Sequence, residues 1–288
     1  MRIAKNDGTL GLHCRGWFLN RTGMAALEFP WQQRKAALIV AHPGHELRVH
    51  HWMELARPLV LVLTDGSGRT AQPRLSSTTR ILRATGARAG SVYGRFKDAE
   101  IYAAILHGGQ EALTGVMREV ARILEGEGIG YVAHDAVEGY NPSHDLCAHL
   151  AGAAALLAGK MQHREVRRFD FLLTGPPDEC PAQSQAGAIR VALDDAALAR
   201  KFTAAETYPE LKMEVDAAIG KFGASSFATE WLRPVTETAV DLSDAGAIPF
   251  YESHGAARRA GGHYADVIRR REHVLPLARS LWKIAAGD

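Results

Sequence analysis

Two short constellations carry the residues best suited to chemistry. The first is Ala41-His42-Pro43-Gly44-His45-Glu46, which places two histidines three apart around a Pro-Gly turn. The second is Asn141-Pro142-Ser143-His144-Asp145, about 100 residues further on. Neutral imidazole is the commonest metal ligand. Three histidines with an open fourth position suit a catalytic zinc, because a water must reach the metal. The same residues also read as ordinary loop histidines, and composition and spacing do not choose between these readings.

The elements that must position them are legible. The apolar run 36–41 ends at His42 and reads as a buried strand. A helical stretch over 45–57 follows, then a second apolar run, Leu59–Thr64, closed by Asp65-Gly66. A helix over 76–85 ends at Gly86, which suits a left-handed cap. A short strand is expected near Ser91–Tyr93 and a helix over 110–125. Further strands are expected at Gly130–His134 and Phe169–Thr174, with an Ala/Leu-rich helix over 144–159 between them. Buried strands alternating with helices predict an α/β fold with a mainly parallel sheet, helices on both faces and the strand C-termini along one edge. That edge would carry His42 and His45, then Asp65, then His134 to His144. Beyond it, a strand is expected at Ile189–Leu193, a long helix from Asp194 to about Ile219, and a basic tail with a helix over Ala265–Trp282. Residues 1–35 and 211–288 read as additions to a core of about 36–210, all within a single domain spanning 1–288.

Composition narrows the classes. Of 288 residues, 47% are hydrophobic and 23% charged, as in a globular protein. A formal net charge of +2 argues against nucleic acid as a partner. No apolar run reaches the roughly 18 residues of a membrane span. Three widely spaced cysteines make no disulfide framework, and the start lacks an apolar leader, so the cytoplasm is the expected compartment. Self-association is left open.

The chain resembles the PIG-L/LmbE-like zinc-dependent N-deacetylases. Ala41–Glu46 is similar to that family's Ala-His-Pro-Asp-Asp-Glu. Leu63-Thr64-Asp65-Gly66 is similar to its Leu-Thr-Asp/Asn-Gly, and Phe96–Glu100 to its Leu-Pro-Asp-Gly segment. Gly139–His144 is similar to its Gly-Tyr-x-His-Pro-Asp-His, and Arg80 stands where the family often has an Arg ahead of a Leu-Gly. The resemblance covers roughly 36–210. It implies a Rossmann-like sheet and removal of an N-acetyl group from an amino sugar or glycoconjugate. It also implies zinc held by His42, His45 and His144, with Asn141 at the oxyanion. Arg80, Asp98 and Tyr208 become expected substrate contacts.

Three departures stand out. The family supports the oxyanion with a histidine where this chain has Asn141, whose amide can still donate a hydrogen bond. The family's second ligand is an aspartate where this chain has His45, and imidazole ligates zinc equally well. The family's general base is an aspartate where this chain has Gly44, which can remove no proton. Asp65 and Asp145 are the expected substitutes. The competing expectation is a family-fold protein that has lost activity and serves as a binding module.

Overall fold

The computed structural model describes residues 31–68, 72–236 and 247–287. Most of the expected N-terminal addition therefore lies outside the described residues. In chain order the elements are β1 (Ala36–Val40), α1 (His50–Ala56), β2 (Leu59–Thr64), α2 (Leu75–Thr85), β3 (Arg88–Phe96), α3 (Asp98–Leu106), α4 (Gln110–Gly126), β4 (Tyr131–Asp135) and α5 (Pro142–Gln162). They continue with β5 (Arg167–Phe171), α6 (Ala182–Gln185), β6 (Ile189–Ala192), α7 (Asp195–Glu206), α8 (Lys212–Phe222), β7 (Thr229–Pro234), α9 (Phe250–Ala260) and α10 (Leu275–Ala286).

The strands form one seven-stranded sheet in the order β3-β2-β1-β4-β5-β7-β6. The first five are parallel, and β7 runs antiparallel to both of its neighbours. The chain is thus α/β with a mainly parallel sheet. In β1, Ala37 and Ile39 point into one apolar layer with residues of α4, α5 and α10. Ala36, Leu38 and Val40 point into the other, with Trp52, Met53, Ile81 and Leu82. Side chains alternate along a strand, so a strand covered on both faces must be apolar throughout. This explains the uninterrupted runs in β1 and β2.

Several elements differ from the sequence expectation. The long helix expected from Asp194 to Ile219 is two helices. Tyr208 leaves helical geometry (φ −109°, ψ 77°) and Pro209 opens a 3-10 turn before α8. A proline disfavours helical backbone in the residue before it and lacks the N–H that would continue the ladder. Asp194 does cap α7, accepting from Ala197 N at 2.7 Å. Helix α5 starts two residues earlier than expected, with Asn141 as its N-cap and Pro142 in its first turn. Strand β3 is longer than expected, and α3, α9 and β7 appear where no strong period was visible. The tail helix begins only at Leu275, after a π turn at Arg270–Val274.

Strand β7 contributes a buried anchor close to the candidate site. Glu230 accepts from His51 N at 2.9 Å and Trp52 N at 2.7 Å, the first-turn amides of α1. Lys201 of α7 donates to the same carboxylate at 2.8 Å and to Arg48 O at 2.9 Å. A carboxylate at a helix N-terminus satisfies orphan amides and complements the helix dipole. The turn that carries His45 is thereby fastened to the sheet's antiparallel edge. No helix among the described residues is long and apolar enough to cross a membrane.

Candidate metal centre

Four parallel strands deliver their C-termini to one edge, and the candidate residues meet there. His42 follows β1, His45 opens a 3-10 turn over His45–Val49, and His144 lies in the first turn of α5. Their ring centroids lie 5.3 Å apart for His42–His45, 5.0 Å for His42–His144 and 4.5 Å for His45–His144. Three imidazoles bound tetrahedrally at Zn–N distances of about 2.0–2.1 Å would have centroids about 5 Å apart. The spacing therefore matches a three-His zinc site.

Hydrogen bonds orient two of the rings. His45 Nδ1 lies 2.9 and 3.0 Å from the two carboxylate oxygens of Asp135, the last residue of β4. His42 Nδ1 lies 3.1 Å from Asp98 Oδ1 and 2.7 Å from Thr64 Oγ1. Both carboxylates sit behind the ring they hold, the usual support for a metal-ligating histidine. Burial holds His45 and His144 well below the ordinary imidazole pKa, and the positive charge of neighbouring imidazoles pushes the same way. Arg74 and Arg48 add to that effect at His45. Neutral imidazole is the form a metal needs.

One detail keeps the set from being ready-made. His42 Nε2 is paired with Ser143 Oγ at 2.7 Å, and the same hydroxyl lies 2.7 Å from Asn141 Oδ1. Among the described residues no group of three His, Cys, Asp or Glu side chains stands ready to hold a metal ion. The donor chemistry and ring spacing fit zinc once His42 exchanges the Ser143 hydroxyl for the metal.

The other expected residues are distributed unevenly. Asp98 lies within this group, bonded to His42 and accepting from Gly68 N at 2.7 Å. Burial opposes its ionisation, but the hydrogen bond from His42 and the charge on that ring hold its pKa below the usual carboxylate value. Asn141 is beside the group, yet its Oδ1 caps Ser143 N at 2.9 Å and its Nδ2 donates to Tyr102 OH at 3.0 Å. Asp65 accepts from Ser67 N at 2.9 Å, and Asp145 from Gly139 N at 3.1 Å. Burial lifts Asp145 to about 7. Tyr208 is fully buried, its hydroxyl 3.0 Å from Thr78 Oγ1. Arg80 is exposed on α2 and donates to Thr207 O at 2.8 Å.

Gly44 has φ +104°, a conformation that side chains rarely adopt, and a Cβ there would collide with Leu211 and approach Tyr208. Its N–H donates to Glu46 Oε2 at 2.6 Å, and burial raises that carboxyl to about 7.

In the sequence Asp135 reads as part of the mouth of that edge, with support of the site one reading and solvated loop the other; Ser143 reads only as a helix cap, and Thr64 and Arg74 carry no signal of their own. The available signal for Asp135 was strand alternation, which turns it to the face opposite His134. Which histidine it meets depends on how β4 pairs with β1.

No protein-family model matches the chain, and no curated protein matches it in sequence. Solved structures resemble it weakly. The A40926 pseudoaglycone deacetylase Dbv21 is 16% identical, with 70% of this chain and 97% of that one covered and a TM-score of 0.46. A deacetylase of teicoplanin biosynthesis, in complex with teicoplanin, is 15% identical, with 69% and 98% covered and a TM-score of 0.46. The conserved protein TT1542 from Thermus thermophilus is 17% identical, with 82% and 91% covered and a TM-score of 0.43. At these identities and TM-scores the likeness carries no weight on activity, substrate or residue roles.

Proposed function

We propose that this chain is a zinc-dependent hydrolase of the PIG-L/LmbE-like class that removes an N-acyl group, an acetyl in the simplest case, from an amino sugar or sugar conjugate. The observation that carries the reading is the meeting of His42, His45 and His144 at tetrahedral spacing on the C-terminal edge of the sheet. The motif resemblance supports it. His42, His45 and His144 would hold the zinc, which when bound acidifies a water and polarises a carbonyl.

The chain's own groups do the remaining work. Asp98 and Asp135 fix two of the rings from behind. Asn141 Nδ2 is the amide donor beside the site, and it must leave Tyr102 to reach an oxyanion. Asp65 or Asp145 would take up the water's proton; each accepts one backbone N–H on Oδ1 and keeps acceptor capacity besides. General base catalysis contributes about 10²–10⁴-fold, so a slow enzyme is the expectation if neither carboxylate takes over the role that Gly44 cannot fill.

A second reading is a binding module of the same fold. The packing of Leu211 into the place of the family's base favours it.

Metal analysis of chain purified without chelator, joined to an acetate-release assay on N-acetylglucosamine conjugates, separates the readings. The hydrolase reading expects about one zinc per chain and turnover that His144→Ala abolishes. A zinc-free chain would sink it. Zinc without turnover on any conjugate would favour the binding module.

A further inference from the structure

The partner of His45 lies 90 residues away, and it does more than fill a hydrogen bond. Asp135 is fully buried at the end of β4. Its Oδ2 accepts from Ala41 N at 2.8 Å, the amide just before His42. Both its oxygens approach His45 Nδ1, at 2.9 and 3.0 Å. One carboxylate therefore grips the backbone entering the first histidine and the ring of the second.

Burial lifts the Asp135 carboxyl to about 7, and above that pH, as an anion, it only accepts hydrogen bonds. With that anion 2.9 and 3.0 Å from Nδ1, the ring proton of His45 sits on Nδ1, which leaves the Nε2 lone pair for the space shared with His42 and His144. We infer that Asp135 is a positioning residue that makes His45 a metal ligand, by fixing its tautomer and returning to the site the negative charge that a ligating aspartate would have supplied directly. This rests on the zinc reading and deepens it. The resemblance implies an aspartate as ligand at position 45. Here an imidazole stands there with a buried carboxylate behind it, so the anion is moved outward by one ring. Hydrogen bonding to such a carboxylate raises the basicity of a ligating imidazole.

The chemistry also defines a sharp substitution. In Asp135→Asn the amide oxygen can still accept from Ala41 N. The amide NH₂ would then donate to His45 Nδ1 and drive the ring proton onto Nε2, occupying the lone pair that a metal needs. Shape is kept while the direction of one hydrogen bond reverses.

The test uses the full chain and zinc itself. Zinc affinity is measured by competition with a chromophoric chelator for the unmodified chain and for Asp135→Asn, in two backgrounds: His45 and His45→Asp. Loss of such an outer partner typically lowers metal affinity about 10–100-fold, and that loss is expected in the His45 background. In the His45→Asp background no imidazole needs orienting, and a change under about threefold is expected. Nitrogen-15 NMR of the metal-free chains gives a readout that a purely structural role would not move. Recorded above the Asp135 pKa of about 7, it should show Nδ1–H at His45 in the unmodified chain and Nε2–H in Asp135→Asn. Retained affinity in Asp135→Asn, equal losses in both backgrounds, or an Nε2–H tautomer in the unmodified chain would each overturn the inference. Failure of the unmodified chain to take up zinc would end the hydrolase reading as well, whereas retained affinity in Asp135→Asn ends only this one.

Discussion

Leu211 occupies the space that a side chain at Gly44 would need. The two residues come from opposite ends of the fold's core, one in the turn after β1 and the other just before α8. Tyr208, fully buried, closes the same space. An aspartate at position 44, expected from the resemblance alone, therefore has no room here. Leu211 and Tyr208 fill the volume beside Gly44, and its backbone holds a conformation that side chains rarely adopt.

Gly44→Asp is consequently expected to destabilise the chain rather than restore a base. Forcing extra atoms into a packed region costs about 1–3 kcal/mol. A non-glycine residue at positive φ adds roughly 1–2 kcal/mol. Urea unfolding should show a loss of about 2–5 kcal/mol for Gly44→Asp, the two costs together. Adding Leu211→Ala should relieve the clash but leave the backbone strain. An unchanged midpoint for the single variant would contradict the packing described.

Ser143→Ala should strengthen zinc binding. The Ser143 hydroxyl and a metal compete for His42 Nε2. A neutral hydrogen bond of this kind contributes about 0.5–1.5 kcal/mol, which corresponds to a gain in affinity of roughly two- to tenfold. Chelator competition reads this directly. A clear fall in affinity would mean that Ser143 supports the site rather than competing for it.

Glu230→Ala should be among the most damaging substitutions outside the edge itself. It strands the buried ammonium of Lys201 and uncaps two amides of α1. Removing one member of a buried pair typically costs about 3–5 kcal/mol. Because α1 follows the His45 turn, zinc affinity should fall with stability. Denaturation and metal titration on the same preparation check both.

His149 on α5 should give the fold an acid-side weakness. Burial, and then the positive charge of His134, lower its pKa from 6.5 to about 4. The unfolded chain thus takes a proton below pH 6.5 that the folded chain refuses until about pH 4. The stability contributed by neutral His149 is present above about 6.5 and is lost as pH falls from there towards about 4, by up to roughly 3 kcal/mol. Burial has the opposite consequence at Asp145, lifted to about 7, whose contribution is lost as pH rises through that value. Comparing His149→Leu with the unmodified chain at each pH cancels that background. The stability gap between the two should move in favour of the variant by about 1 kcal/mol per pH unit between about pH 6 and pH 5. A pH-independent gap would show that His149 takes up its proton in the folded state as readily as in the unfolded one.

The sequence by itself determined that there is a buried parallel sheet and that three histidines lie along one edge of it. Uninterrupted apolar runs can be satisfied only by strands covered on both faces, and parallel connections leave their C-termini together. The break at Tyr208-Pro209 was missed by the helical reading of 194–219, although the proline that makes it stands in the chain. Strand β7 was not legible, because Thr229–Pro234 carries only a weak alternation and gains its place from pairing with β5 and β6. Only the tertiary structure decided which carboxylates serve which imidazoles. Asp98 meets His42 across 56 residues and Asp135 meets His45 across 90. Those pairings depend on strand order and on register, since a shift of one residue turns a side chain to the opposite face. The same holds for Gly44. Its residue type was plain in the sequence, but what fills the space beside it was settled by packing from a distant part of the chain.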